Sequence, residues 1–271
     1  MDTRPHIMSA DVPRPDSSTP VATGAAGVSV VVPVKDEADN VASLIGEIAS
    51  ALSTEPTFEI VYVDDGSSDD TLARLRVLMA EVPQLRIIGH ARSAGQSMAI
   101  ASGIDAATND TIVTLDGDGQ NDPADIPAAL VTYRAHPGPA PVMVCGHRVN
   151  RRDTWMKRLS SRIANSVRSG LLGDGTPDTG CGLKVFSRQV FLALPRFDHM
   201  HRFLPALMIR QGGIALSVPV NHRARAGGRS KYGVWNRLWV GIVDLFGVIW
   251  LIRRGVRPEV TEITRDQEQK P

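Results

Sequence analysis

Two cysteines among 271 residues, Cys145 and Cys181, are too few for a disulfide framework, and they lack the CxxC spacing of a zinc or redox motif. Isolated cysteines are ordinarily small core residues, and a reducing, cytoplasmic setting fits them best. Excess charge is missing too. Thirty Lys and Arg against 29 Asp and Glu leave a formal net charge of +1, so no global field draws in nucleic acid and any attraction for anions is local. Aromatics make up only 5% of the chain, yet three of the four tryptophans crowd into residues 235–250. No apolar run reaches the ~20 residues of a transmembrane helix. The best stretch, Trp235 to about Ile252, is interrupted by Asp244 and reads instead as a helix lying in a membrane interface. Residues 1–27 mix Pro, Asp, Ser, Thr and Gly without an apolar core, which argues against a signal peptide and for a disordered tail.

What is present is alternation. Apolar strands are expected at Val28–Val32, Phe58–Val63, Leu85–Gly89, Thr111–Leu115 and Val142–Cys145. Between them lie segments of helical period. Val41, Leu44, Ile45, Ile48 and Leu52 share one face, a second helix runs through Leu72, Leu75 and Leu78 with Asp69 or Ser68 as its cap, and a third spans Gln96–Ala107. This order implies an α/β fold, a mostly parallel sheet covered by helices on both faces. Pro137–Pro141 breaks the pattern. Thr154–Leu172 reads as a helix with a solvated basic face that includes Arg168, and Gly-rich stretches follow at 173–182 and 226–233.

The most telling stretch is Asp116-Gly117-Asp118-Gly119-Gln120, directly after the strand Thr111–Leu115. Acidic side chains at the carboxyl edge of a parallel sheet face the crevice where such sheets bind ligands. Mg2+ and Mn2+ prefer oxygen donors and are held by one or two carboxylates, with substrate phosphates completing the shell. An acidic turn with Gly at its bends would look the same in isolation. A second acidic turn, Asp64-Asp65-Gly66-Ser67, closes another strand, and two such ends in one sheet point to one site.

The ordered motifs Val30-Val-Val-Pro33-Val-Lys-Asp-Glu37, Asp64-Asp65-Gly66-Ser67 and Asp116-Gly-Asp-Gly-Gln120 resemble the opening of family 2 glycosyltransferases with the Rossmann-like GT-A fold. Thr179-Gly-Cys-Gly-Leu-Lys-Val-Phe-Ser-Arg188 and Arg225-Ala-Gly-Gly-Arg-Ser-Lys-Tyr232 are similar to the branch containing dolichol-phosphate mannosyltransferases and polyprenyl-phosphate sugar synthases. The resemblance implies that Pro33 and Glu37, in the loop after the first strand, hold the nucleobase. It implies that Asp64 accepts from the base and that Asp65 fixes the turn or touches the ribose. Asp116, Asp118 and Gln120 are implied as ligands of the Mg2+ or Mn2+ that bridges the donor diphosphate. Gly119 stands where a Leu is common, and Gly180-Cys181-Gly182 replaces Ser-Gly-Phe, which leaves sugar identity open.

A lipid phosphate has a second pKa near ~6 and already carries nucleophilic charge at neutral pH, so cations rather than a carboxylate base are sought near the acceptor. Arg148, just beyond the fifth strand, and Arg202 are the candidates, with Ser230 and Tyr232 beside them. Surface arginines are the equal alternative at Arg151, Arg152 or Arg223. Asp178 orients the sugar, acts as a weak base, or simply forms a turn. Arg225 and Lys231 lie in a Gly-rich loop suited to closing over the leaving diphosphate. Trp235, Trp239, Phe246 and Trp250, edged by Arg237, Arg253, Arg254 and Arg257, suit headgroup depth, the alternative being a core or oligomer helix.

The expected organisation is a GT-A domain at 28–225, a basic lid loop and amphipathic helix at 226–257, and a tail at 258–271. The expected activity is inverting, metal-dependent transfer from a UDP- or GDP-sugar to a polyprenyl phosphate at the cytoplasmic membrane face, by a peripheral or monotopic enzyme. A transferase acting on a glycan or small-molecule hydroxyl, and a membrane-tethered nucleotide-binding scaffold, are the alternatives.

Overall fold

The structure, a computed structural model, describes residues 27–149, 168–223 and 234–255, with side chains of the last segment described from 241 onward. Among the described residues seven strands form one sheet in the order β3-β2-β1-β4-β6-β5-β7. They are β1 (Val28–Val34), β2 (Phe58–Asp64), β3 (Leu85–Gly89), β4 (Thr111–Thr114), β5 (Val142–Arg148), β6 (Lys184–Ser187) and β7 (Ile214–Val220). β1 pairs in parallel with β2 and β4, β2 with β3, and β5 with β7. Only β6 runs the other way, antiparallel to both β4 and β5. The sheet is therefore mostly parallel, as the alternation implies.

Neighbouring residues of one strand point to opposite faces, so β1, apolar but for Ser29, feeds two cores. Val30 and Val32 pack with α1 (Val41–Ala51), α2 (Thr71–Glu81) and α4 (Ile126–Arg134), through Leu44, Ile48, Leu75, Ile126 and Leu130. Val31 faces the other core, built on α3 (Gln96–Ala106), α5 (Arg188–Leu192) and α6 (Leu204–Arg210), through Ala99, Ile104, Phe191 and Leu207. The C-terminal helix α7 (Val234–Arg253) docks on this second core with Val248 fully buried and Leu245, Ile249 and Ile252 against it.

Several local expectations change. Pro33 is inside β1, opposite Val63, and not in the loop after it. Pairing of β1 with β4 ends at Val31, whose carbonyl accepts from Leu115 N, and residues two apart point the same way. The N–H that Pro33 lacks would thus face past the end of β4, where no partner is lost. Arg148 is the last residue of β5, not beyond it. At α2 the carboxylate of Asp69, not Ser68, takes the Thr71 N–H at 3.0 Å. β6, β7, α5 and α6 have no counterpart in the sequence reading. Most of 154–172 lies outside the described residues, of which 168–172 are helical.

Candidate active site

The carboxyl ends of β1, β2 and β4 open on one crevice. The loop after β1 is tied to the loop after β2. Asp36 accepts from Ser68 N at 2.7 Å, Glu37 N donates to Thr71 Oγ1 at 2.9 Å, and Asn40 Nδ2 donates to Glu37 at 2.6 Å. Asp64 ends β2, buried, with Ser67 N at 3.4 Å from its carboxylate. Asp65 receives Ser93 Oγ, His90 Nδ1, Ala94 N and Gly95 N at 2.6–2.9 Å. Four donors fill the roughly four acceptor sites of a carboxylate. Burial works against its charge, yet these bonds hold the Asp65 carboxyl below the ordinary range. Of the two roles open to Asp65, this geometry is that of the turn-fixing one: it locks the segment that launches α3.

Beside this crevice is a cavity of about 560 Å³, lined from β4, β5, β6, α3, α6 and α7. Asp116 forms one wall. Its Oδ1 accepts from Gln96 Nε2 at 2.8 Å and its N–H donates to the buried Asn121 Oδ1 at 3.3 Å. Burial, and then the like charge of Asp118, push the Asp116 carboxyl up to about 6 against the pull of Lys184 and Arg148. Asp118 accepts from Gln120 N at 3.1 Å across a turn in which Gly119 has φ 71°, a conformation that suits Gly far better than the Leu common there. A Cβ at Gly182 would overlap the Asp116 carboxylate and stand 2.6 Å from Asn121 Oδ1. The small residue in place of an aromatic is therefore what lets the two loops meet.

Cations form the opposite wall. Arg148 is bound side-on by Asp178, through Nε at 2.6 Å and Nη2 at 2.8 Å, with the Arg148 N–H at 3.3 Å from the same carboxylate. Although burial works against its charge, the Asp178 bonds hold the guanidinium above its ordinary range. Asp178 is 5% exposed and holds the Arg148 guanidinium in place. Arg168 is likewise no solvated residue: it lines the cavity, paired with the buried Asp174 and donating to Thr176 O at 3.1 Å. Arg202 lines the cavity from a 3-10 turn, Met200–Arg202, and not from a strand end. Arg223 bridges Glu47 and Asp122 away from the cavity. Arg225, Ser230, Lys231 and Tyr232 lie outside the described residues.

Two residues of this wall carry no role in the sequence reading. Lys184 opens β6, buried, with Nζ donating to Cys181 O. His201 contacts Ser97, Nδ1 to Oγ at 2.7 Å. Burial first, with the charges of Lys184, Arg202 and His199, pushes its imidazole down to about 3. Lys184 sits in the Thr179–Arg188 motif and His201 stands beside Arg202, but a strand that begins at the site instead of ending there carries no acidic signal to mark it. Cys145 and Cys181 are free and buried, the small core residues expected.

Among the described residues no group of three or more His, Cys, Asp or Glu is placed to hold a metal, and no helix is long and apolar enough to cross a membrane. Asp116, which lines the cavity, and Asp118 two residues on are, however, oxygen donors of the kind that hold a divalent ion whose shell is completed by substrate. The exposed face of α7 carries Val243, Phe246 and Trp250, the last two 67% and 61% exposed. Asp244, which interrupts this helix in sequence, faces inward, its Oδ2 at 3.2 Å from His199 Nδ1 in an ion-pair contact without hydrogen-bond alignment.

Residues 29–194 match the family described as Glycosyl transferase family 2. A dodecaprenyl-phosphate galacturonate synthase of Rhizobium johnstonii is 35% identical over 85% of this chain and 69% of its own. An undecaprenyl-phosphate 4-deoxy-4-formamido-L-arabinose transferase of an Enterobacter species is 36% identical over 76% of this chain. The chain spans just under two thirds, 62%, of that transferase's length. Among solved structures, a mannosyltransferase of Pyrobaculum calidifontis in complex with GDP-Man and Mn2+ superposes with TM-score 0.64 at 23% identity, over 90% of this chain and 69% of that one. A glucosyl-3-phosphoglycerate synthase of Mycobacterium tuberculosis with Mn2+ and UDP gives 0.62 at 19%, over 86% and 81%. At such identities the neighbours speak for the fold alone. With the strand-end carboxylates and mixed sheet in hand, the chain belongs to glycosyl transferase family 2, in its polyprenyl-phosphate sugar transferase branch, and is a glycosyltransferase with the GT-A fold.

Proposed function

We propose that the enzyme transfers a glycosyl group from a nucleotide sugar to a polyprenyl phosphate with inversion at the anomeric carbon. The observation that carries this reading is the cavity itself: the Asp116 carboxylate on one wall, cations on the other, and the second carboxylate that lines it among the described residues, Asp178, tied to Arg148. A hydroxyl acceptor needs a base to take its proton. A phosphate acceptor needs none. Its oxygen attacks the anomeric carbon, the bond to the nucleoside diphosphate breaks on the opposite face, and charge passes from one phosphate to the other without proton transfer.

Asp116 and Asp118, with Gln120, are the proposed ligands of Mg2+ or Mn2+, which supplies Lewis-acid neutralisation of the leaving diphosphate. Gln96 holds one Asp116 oxygen in place, and Gly119 lets the loop turn sharply enough to present Asp118. Glu37 and Asp64 line the crevice proposed for the nucleobase. Pro33 lies within the strand beneath it, one residue before its end, and Asp65 rigidifies its floor. Arg148 and Arg202 are proposed at the acceptor phosphate, and Arg225, Ser230, Lys231 and Tyr232 as a lid over the diphosphate. The exposed stripe of α7, with Arg253 and Arg254 at its end, supports a membrane-surface anchor near headgroup depth. The proposed location is the cytoplasmic face of the membrane, as a peripheral or monotopic protein.

The test is to incubate the protein, Mn2+ and a panel of labelled UDP- and GDP-sugars with undecaprenyl phosphate, then extract the lipid product. A labelled, mild-acid-labile lipid is expected. Label passing only to a soluble hydroxyl acceptor would sink the reading.

A further inference from the structure

Two arginines of the cavity wall are already neutralised, Arg148 by Asp178 and Arg168 by Asp174. Lys184 differs from them. It is 4% exposed, lines the cavity, and hydrogen-bonds only to the carbonyl of Cys181, with no carboxylate of the described residues in ion-pair contact. With no carboxylate in ion-pair contact, and Asp116 acting on it only through space, the buried ammonium carries a desolvation cost that an arriving anion would offset. Topology explains its position. β6 is antiparallel, so its first residue lies opposite Thr114, the last residue of β4, and opposite Cys145 of β5. The cation is thereby set at the same sheet edge as Asp116.

His201 adds a second donor. Ser97 Oγ accepts the His201 backbone N–H at 3.2 Å and lies 2.7 Å from Nδ1 of the same residue. Ser97 is buried, and the one remaining place for its hydroxyl proton is Nδ1. Nδ1 is then the acceptor, which fixes the neutral tautomer with its proton on Nε2, on a ring that lines the cavity. The cationic neighbours and burial that keep the ring uncharged make it a hydrogen-bond donor and not a proton-transfer group.

We propose that Lys184 and His201 form an oxyanion-binding pair that receives the phosphate of the acceptor beside the Asp116 wall. This rests on the lipid-phosphate reading above. The pair divides the work between a charge and a fixed N–H, two donors aimed at one tetrahedral anion.

The experiment measures binding of farnesyl phosphate by calorimetry to the full chain saturated with Mn2+ and whichever of UDP or GDP binds, together with KM for each substrate. Lys184→Met is expected to weaken farnesyl phosphate binding about 10- to 100-fold, and His201→Phe about 10-fold, the range for losing a hydrogen bond to a charged group. Lys184→Arg and His201→Gln, which keep a donor, should recover most of it. Nucleoside diphosphate affinity should stay within about twofold in all four, which also shows that the site is folded. A wild type that glycosylates farnesyl phosphate while Lys184→Met and His201→Phe bind it as tightly overturns the pair and leaves the acceptor reading standing. Weakened nucleotide binding with unchanged farnesyl phosphate binding reassigns Lys184 as counter-charge to Asp116 and also overturns the pair. A wild type that binds no isoprenyl phosphate overturns the acceptor reading and the pair with it.

Discussion

β4 and β6 lie side by side and deliver opposite charge to one edge of the sheet, β4 by ending there and β6 by beginning there. After β4 the chain leaves the sheet through Asp116 and Asp118. Into β6 it enters through Lys184. The parallel half, β1 to β4, therefore supplies acids and loop atoms from strand ends, whereas the half that follows supplies cations from a strand start, a strand end and a 3-10 turn. The reversal of a single strand lets one crevice hold both a diphosphate site and an anion site. Had every strand run the same way, the residue at that edge would have been Ser187.

The largest expected loss comes from the acidic side. Asp118→Asn should lower single-turnover transfer about 1,000-fold, and weaken binding of the nucleoside diphosphate far more than that of the nucleoside, because what it removes is charge at the developing leaving group. Equal effects on both ligands would move Asp118 out of the metal site. On the cationic side, Asp178→Ala leaves the buried Arg148 guanidinium uncompensated and should cost about 3 kcal/mol, read as a melting temperature lower by several degrees. Replacing Arg148 as well, by Met, should recover part of that stability and none of the activity. Full recovery of activity would remove Arg148 from the acceptor site.

Gly182→Ala tests the join between the halves, since the new methyl must displace the Asp116 carboxylate or Asn121. A fall in kcat of about 10- to 100-fold is expected, with nucleoside affinity retained. A smaller effect concerns Asp116, whose carboxyl lies at about 6 in the fold and at 3.8 when unperturbed. A raised carboxyl binds its proton more tightly in the folded state, so the stability it confers is complete below 3.8 and is lost as pH rises through about 6. Without divalent ion, the melting temperature should therefore fall by a few degrees between pH 4 and 7 more steeply than in Asp116→Asn. Identical slopes would refute the raised carboxyl of Asp116. The smallest stability effect is expected at Phe246→Ser with Trp250→Ser, both exposed, within about 0.5 kcal/mol of wild type. The same pair should abolish sedimentation with anionic vesicles, and continued vesicle binding would assign that face to another role.

The alternation of β1 to β4 with α1 to α3 is legible because buried parallel strands are continuous apolar runs and the helices repeat on one face. Asp64, Asp65, Asp116 and Asp118 are legible for the same reason, standing where those runs stop. β6 hides in Lys184–Ser187, four residues with a charge at one end, and β7 carries Pro219 at the edge of the sheet, where a missing donor is harmless. Neither has the length or pattern to announce itself.

The sequence by itself determined the α/β layering, the acidic strand ends and the family, since each of these follows from local period and from residues adjacent in the chain. Only the tertiary structure decided that Asp178 belongs to Arg148, that Arg168 is sealed against Asp174, and that Ser97 fixes the ring of His201 from 104 positions away. Pairings of this kind depend on which strands lie side by side and in which direction they run. Strand direction is set by packing the whole sheet between its two helical layers, and no window of neighbouring residues contains it.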